Sequence, residues 1–230
     1  MSPSRPRTRP ARVPAEPARP RPPASLDPAV LPDHDLDTEA GYERLGFVDL
    51  DLSGRRAEAV EFTQCRMRHT TLAGTTLSRA RLTDCLVESG DWANLRMPSA
   101  TLLRVRAADS RMTGFALVDA VARDVVFEAC RMDLSGWRFT RFTAVRFEGC
   151  NLTGADFTGA DLGGAAFVGC DLTGARFDNA TMTGTRFRDC VLLDVAGVTS
   201  WRGAVVEAAD LIQLAHVFAA ALGVRIAPEP

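Results

Sequence analysis

Cys130, Cys150, Cys170 and Cys190 recur at intervals of twenty residues, and Cys65 and Cys85 share the interval. Thiols at a fixed spacing raise three chemistries: a disulfide ladder, a soft-metal site or a nucleophile. A metal site needs convergent ligands, and no CxxC pair or nearby histidine accompanies these thiols. The three histidines, His34, His69 and His216, are too dispersed to build a triad or a ligand set. The glycines form neither a GxGxxG nor a GxxxxGK phosphate loop. Asp156, Asp161 and Asp171 occupy equivalent places in a repeat and read as solvated surface carboxylates, whereas general acid–base work needs a pocket. No catalytic residue, cofactor or metal is therefore expected, and the cysteines read as small apolar core filler.

The elements behind this spacing show in NLTGADFTGADLGGAAFVGCDLTGARF, residues 151–177. Leu152, Phe157, Leu162, Phe167, Leu172 and Phe177 fall every fifth residue, a period that is neither helical nor that of a plain strand. Stepping by five from Phe47 to Leu192 meets only hydrophobic residues; only Ala57, Ala107 and Ala122 are small. Two places before each centre, small residues dominate; Leu45, Leu50, Arg55, Leu95 and Phe115 are the exceptions. Side chains two apart share a face of an extended chain, so both sets point inward and the intervening residues face out. Glycine recurs two places after the centre, as at Gly154 and Gly159, where a chain turning a corner needs permissive backbone.

Four corners close a square coil of twenty residues. Coils stacked at the strand spacing of about 4.8 Å give seven to eight turns and a rod roughly 35 Å long. Phe127, Phe147, Phe167 and Phe187 then stack along one inner edge, the four cysteines form a ladder, and Phe157 and Phe177 share another wall. Neighbouring thiols lie within disulfide reach, but parallel side-chain vectors disfavour the bond. The weakest stretch is 105–125, where the cysteine phase shifts by five; a 25-residue excursion there would bring both cysteine sets onto one face.

The ends differ. Ten of the thirteen prolines lie in residues 1–40, and Arg5, Arg7, Arg9, Arg12, Arg19 and Arg21 make residues 1–24 basic. This composition reads as a disordered tail, with a nucleic-acid-binding arm as the sharper reading. In residues 208–226, Leu211, Leu214, Ala215, Phe218 and Leu222 form a helical stripe that can close the rod, with Gly223 as C-cap. Ile212, Val217 and the alanines 219–221 make a second apolar face, which points to a symmetric homodimer. The chain thus divides into a tail (1–40), a β-helix (41–200) and a C-terminal cap (201–230).

Totals narrow the class. The net charge is −2 and 46% of residues are hydrophobic, which fits a globular chain without a charge surplus to steer polyanions. No run of 18 apolar residues and no signal-type apolar region occurs, so a cytoplasmic setting with reduced thiols is expected and no membrane partner. All 27 basic residues are arginine. Arg66, Arg106, Arg146 and Arg186 share one phase of the coil and predict a broken basic stripe.

Segments such as Ala155-Asp156-Phe157-Thr158-Gly159 and Ala160-Asp161-Leu162-Gly163-Gly164 resemble the A-(D/N)-L-x-x consensus of the pentapeptide-repeat family. The resemblance spans residues 45–195 and implies an all-β, right-handed quadrilateral β-helix. The C-terminal ending, a helix followed by Val-Arg-Ile, is similar to that of the mycobacterial quinolone-resistance branch of the family. That likeness implies a head-to-head dimer shaped like B-DNA that binds DNA gyrase. The residues themselves favour a non-enzymatic protein-interaction module with an unnamed partner. The alternative is a DNA mimic directed at gyrase or another type II topoisomerase, linked to quinolone resistance.

Overall fold

The computed structural model describes residues 15–224, of which those from Asp27 onward wind into a four-walled parallel β-solenoid closed by one helix. Between the two end rungs the register is the twenty-residue step. Val105 pairs with Val125 and Val125 with Val145, while Ala107, Phe127 and Phe147 lie side by side. No excursion occurs at 105–125, and the two cysteine sets lie on different columns. Cys85 is in register with Val105. On two walls the pairing shrinks to single bridges, such as Asp51 to Thr71 and Gly136 to Asp156.

One wall carries ten rungs, from Asp27–Pro28 to Val205–Val206. The repeat count of seven to eight coils falls short because the end rungs leave the strict step. Asp27 pairs with Leu45 and Arg186 with Val205. Both additions cover backbone edges that would otherwise template further strands.

All thirty centre positions from Phe47 to Leu192 are buried, as are the small positions from Val60 onward; Leu45, Leu50 and Arg55 are half-buried. Aromatic rings stack along the axis. Phe147 and Phe167 lie 4.9 Å apart at 3°, Phe167 and Phe187 5.1 Å apart at 5°, and Phe157 and Phe177 5.2 Å apart at 1°. Such pairs add to the gain from burying the rings. Small positions that carry a donor hold the corner carbonyls. Thr75 Oγ1 donates to the Leu52 carbonyl at 2.8 Å, Thr185 Oγ1 to Leu162 at 2.7 Å and Cys130 Sγ to Ala107 at 3.5 Å. Cysteine here is a small residue with a weak donor, interchangeable in role with threonine.

Each corner residue, two places after a centre, has positive φ at all thirty positions from Asp49 to Asp194. Glycine fills some of them. Beyond the last corner, at Gly197 with φ 75°, it is obligatory: a Cβ would sit 2.3 Å from the Asp178 nitrogen.

The N-terminal division requires correction. Residues 27–40 are part of the fold: Ala29 and Leu36 are buried and close the first coil with Tyr42. Residues 15–26 run outside the solenoid without regular pairing. The arginines at 5, 7, 9 and 12 lie outside the described residues.

At the other end, Trp201 stacks on Phe187 at 4.7 Å and meets Phe177 edge-on at 5.4 Å. The helix Ala208–Ala221 follows. It ends in a Schellman turn: Gly223 has φ 71°, its N–H donates to Ala220 and that of Val224 to Ala219. The rest of the Val-Arg-Ile segment is outside the described residues. No helix among those residues is long and apolar enough to cross a membrane.

Candidate functional site

The cysteines do not converge on solvent. All six are buried and free. Each of Cys130, Cys150, Cys170 and Cys190 turns its sulfur to backbone carbonyls, as Cys150 does to Phe127 at 3.4 Å. Contacts with Cys130 and Cys170, together with burial, push the Cys150 thiol far above its usual range. Among the described residues no cluster of histidine, cysteine and carboxylates fits a metal ion. His69 meets Asp49 at 3.2 Å, and His34 contacts the Val30 backbone. Phe127, Phe147, Phe167 and Phe187 on one wall and Phe157 and Phe177 on the opposite wall are core residues that meet across the interior. What the rod offers a partner is its outer surface.

That surface is a lattice of opposite charges on neighbouring rungs. Arg104 grips Asp84 with two hydrogen bonds of 2.7 Å, Arg111 reaches Asp91 at 3.0 Å and Arg79 reaches Glu58 at 2.6 Å. The Arg104 hydrogen bonds hold the Asp84 carboxyl below its usual value. The arginine stripe is real in position: Arg66, Leu86, Arg106, Val126, Arg146, Ala166 and Arg186 lie in register. Its charge is largely cancelled, because Arg66, Arg106 and Arg146 pair with Glu88, Glu128 and Glu148. The most acidic wall carries Asp51, Asp91, Asp133, Asp171 and Asp194 but also Arg111 and Arg131, which pair with Asp91 and Asp133. No wall presents an unbroken row of carboxylates.

Two apolar features interrupt the lattice. Leu134 and Phe139 are 68% and 57% exposed, and each occupies a corner with φ 58°. A left-handed leucine or phenylalanine costs about 1–2 kcal/mol relative to the right-handed region. They project above Gly154 and Gly159, and Arg138 lies 5.8 Å from the Phe139 ring centroid. Periodicity does not single them out, since both stand at outward positions. The usable signal is a large apolar residue where neighbouring coils place Gly, Asn or Asp.

The second feature is the C-terminal helix, whose inward stripe is rotated from the one the spacing predicts. Leu214 is buried and Val217 and Phe218 pack against the core, whereas Leu211, Ile212, Ala215 and Leu222 face out. Val217 therefore belongs to the cap, and Leu211, Ala215 and Leu222 to the open face. Polar residues dictate this orientation. The Cys190 N–H donates to Asp210 Oδ2 at 3.4 Å. Gln213 accepts from the Leu192 N–H at 3.1 Å and donates to the Cys190 carbonyl at 3.3 Å. The two side chains stand in for the backbone of a missing next coil, and an unpaired edge would cost more than an exposed leucine. Ile212 and Leu222 are 78% and 79% exposed.

These features define a class, a parallel β-solenoid with five-residue walls whose chemistry lies on its outside. Models of a pentapeptide repeat region and of pentapeptide repeats in eight copies match residues 140–197 and 47–85. Over these two segments the chain is similar to the pentapeptide-repeat family. Full-length QnrB1, a plasmid-mediated fluoroquinolone resistance protein, is similar at 14% identity, covering 78% of this chain and 99% of that one, with a TM-score of 0.34. HetL, a pentapeptide repeat protein involved in heterocyst differentiation regulation from the cyanobacterium Nostoc sp. strain PCC 7120, is similar at 15% identity. It covers 73% and 87% of the two chains, with a TM-score of 0.30. A pentapeptide repeat protein of the Arabidopsis thaliana thylakoid lumen aligns at 17% identity over 60% of this chain and 68% of its own, with a TM-score of 0.17. No curated protein matches the chain by sequence.

Proposed function

We propose that the protein is a non-enzymatic interaction module that works as a symmetric homodimer joined through the open face of its C-terminal helix. The observation that carries this reading is the exposure of Leu211, Ile212, Ala215 and Leu222 on a helix already committed to the cap through Leu214, Asp210 and Gln213. A two-fold contact needs one self-complementary patch, and pairing would hide an aggregation-prone surface. Light scattering tests it. The 24.8 kDa chain should run at twice its mass, and Leu211→Glu with Ile212→Glu should return it to monomer. A monomeric wild type at micromolar concentration removes the reading.

The doubled rod favours a second reading, a DNA mimic that engages two-fold symmetric gyrase. Against it stand the paired charges, since a mimic needs carboxylates spaced like phosphates with little positive charge between them. A gyrase supercoiling assay with titrated protein decides: inhibition or protection at stoichiometric dimer supports mimicry, and unchanged supercoiling leaves the interaction module with another protein partner.

A further inference from the structure

Residues 15–26 carry a pattern that the tail's composition does not explain. Pro17, Pro20, Pro22 and Pro23 are half-buried, as is Leu26 beyond a bend at Ala24 and Ser25, while Ala18, Arg19 and Arg21 are exposed. The half-buried set contains Pro17, Pro20 and Pro23, the three-residue repeat of a polyproline II helix. The backbone contacts share that period. The Ala18 N–H donates to Asp124 Oδ1 at 3.0 Å and the Arg21 N–H to Asp84 Oδ1 at 3.2 Å. Gln64 Nε2 then donates to the Arg21 carbonyl at 3.1 Å.

Gln64, Asp84, Arg104 and Asp124 are successive residues of one corner column, all with positive φ. Asp84 and Asp124 lie two coils apart, about 9.6 Å at the strand spacing. One polyproline II turn of three residues advances about 9.3 Å. The two repeats are commensurate, so an extended proline-rich segment meets a carboxylate at each turn as it crosses two coils. The acceptor at Asp84 is built without the segment, because Arg104 fixes both of its oxygens. The contacts to the segment are backbone hydrogen bonds and half-buried proline rings, and its Ala18, Arg19 and Arg21 stay exposed, so it can leave without opening the core.

We propose that this corner column is a docking track for polyproline II segments, occupied in cis by Pro17–Leu26 and exchangeable with a proline-rich peptide of another chain. Recognition reads the backbone and the proline spacing, as in Pro17-Ala18-Arg19-Pro20, rather than the arginine side chains. The track is separate from the helix face invoked for dimerisation.

Amide exchange by NMR on the full chain tests the cis contact. The Ala18 and Arg21 amides should exchange about tenfold more slowly than that of Arg19, the worth of one net hydrogen bond. Asp124→Ala should release Ala18, and Asp124→Asn, which keeps the Oδ1 acceptor, should restore its protection. Exchange of both amides at unfolded-chain rates in the wild type overturns the proposal. The trans contact is tested on the full chain carrying Pro17→Gly, Pro20→Gly and Pro23→Gly, with unchanged amide signals for the coils confirming its fold. A synthetic peptide of residues 17–26 should shift the Gln64, Asp84 and Asp124 signals, and the same peptide with all four of its prolines replaced by glycine should not. No shift at millimolar peptide, or equal shifts with both peptides, overturns the exchangeable track.

Discussion

Phe157 and Asp161 show how sharply the five-residue code divides residues. The Phe157 ring is buried and stacks on Phe177, while Asp161 faces out and accepts the Gly163 N–H at 3.1 Å. Phe157→Ala should cost about 3–5 kcal/mol, and Asp161→Ala under about 1 kcal/mol, in a denaturant titration. The corners make a second contrast. Gly174 has φ 67° and open space around it, so Gly174→Ala should cost about 1–2 kcal/mol for the left-handed backbone alone. Gly197→Ala adds a clash with the backbone of Phe177 and Asp178, and overpacking brings the loss to about 3 kcal/mol or more. Equal losses for the two glycine variants would mean that the turn at Gly197 adjusts freely. Inward centres and glycine corners are legible at this scale because each obeys a local rule. Leu134 and Phe139 are not, because they break the rule for corner residues.

At the scale of elements, end caps were harder to read than coils. The coil repeats thirty times, so each position is averaged over many copies, and the register survives Ala107 and Ala122. A cap occurs once. The apolar stripe of residues 208–222 reads as the inward face, yet the last coil presents an N–H at Leu192 and a carbonyl at Cys190 that need Gln213. Gln213→Leu should therefore destabilise by about 1–3 kcal/mol although it adds apolar surface, because it leaves buried backbone groups unpaired. Hydrogen exchange should rise at residues 190–192 and stay unchanged below Cys150. A stabilised variant would show that burial outweighs the edge. The N-terminal cap was hidden for a different reason: Ala29 and Leu36 are two apolar residues among many prolines and acids, with no period to mark them.

For the whole molecule, charge distribution and length decide function. The rod's net charge is small, and many of its carboxylates pair with arginines on the same or an adjacent rung. Asp84 is the least exposed of the arginine-paired carboxylates, and its hydrogen bonds from Arg104 lower its folded pKa. A depressed carboxylate contributes stability that is complete above the unfolded value, close to 3.8, and is lost as the pH falls through the folded one. The denaturant midpoint of the wild type should fall more steeply below pH 3.8 than that of Asp84→Asn, which cannot titrate there; parallel curves would mean that the Arg104 pair contributes nothing.

The central claim is that a packed rod with a committed cap doubles itself through the open helix face. Small-angle X-ray scattering of the wild type and of Leu211→Glu with Ile212→Glu tests it most directly. Ten rungs at about 4.8 Å and the cap give a single rod of roughly 50–60 Å. The account predicts the same cross-section for both proteins and a wild-type maximum dimension close to twice that of the variant. Equal lengths would contradict it, as would a wild type that doubles its cross-section instead.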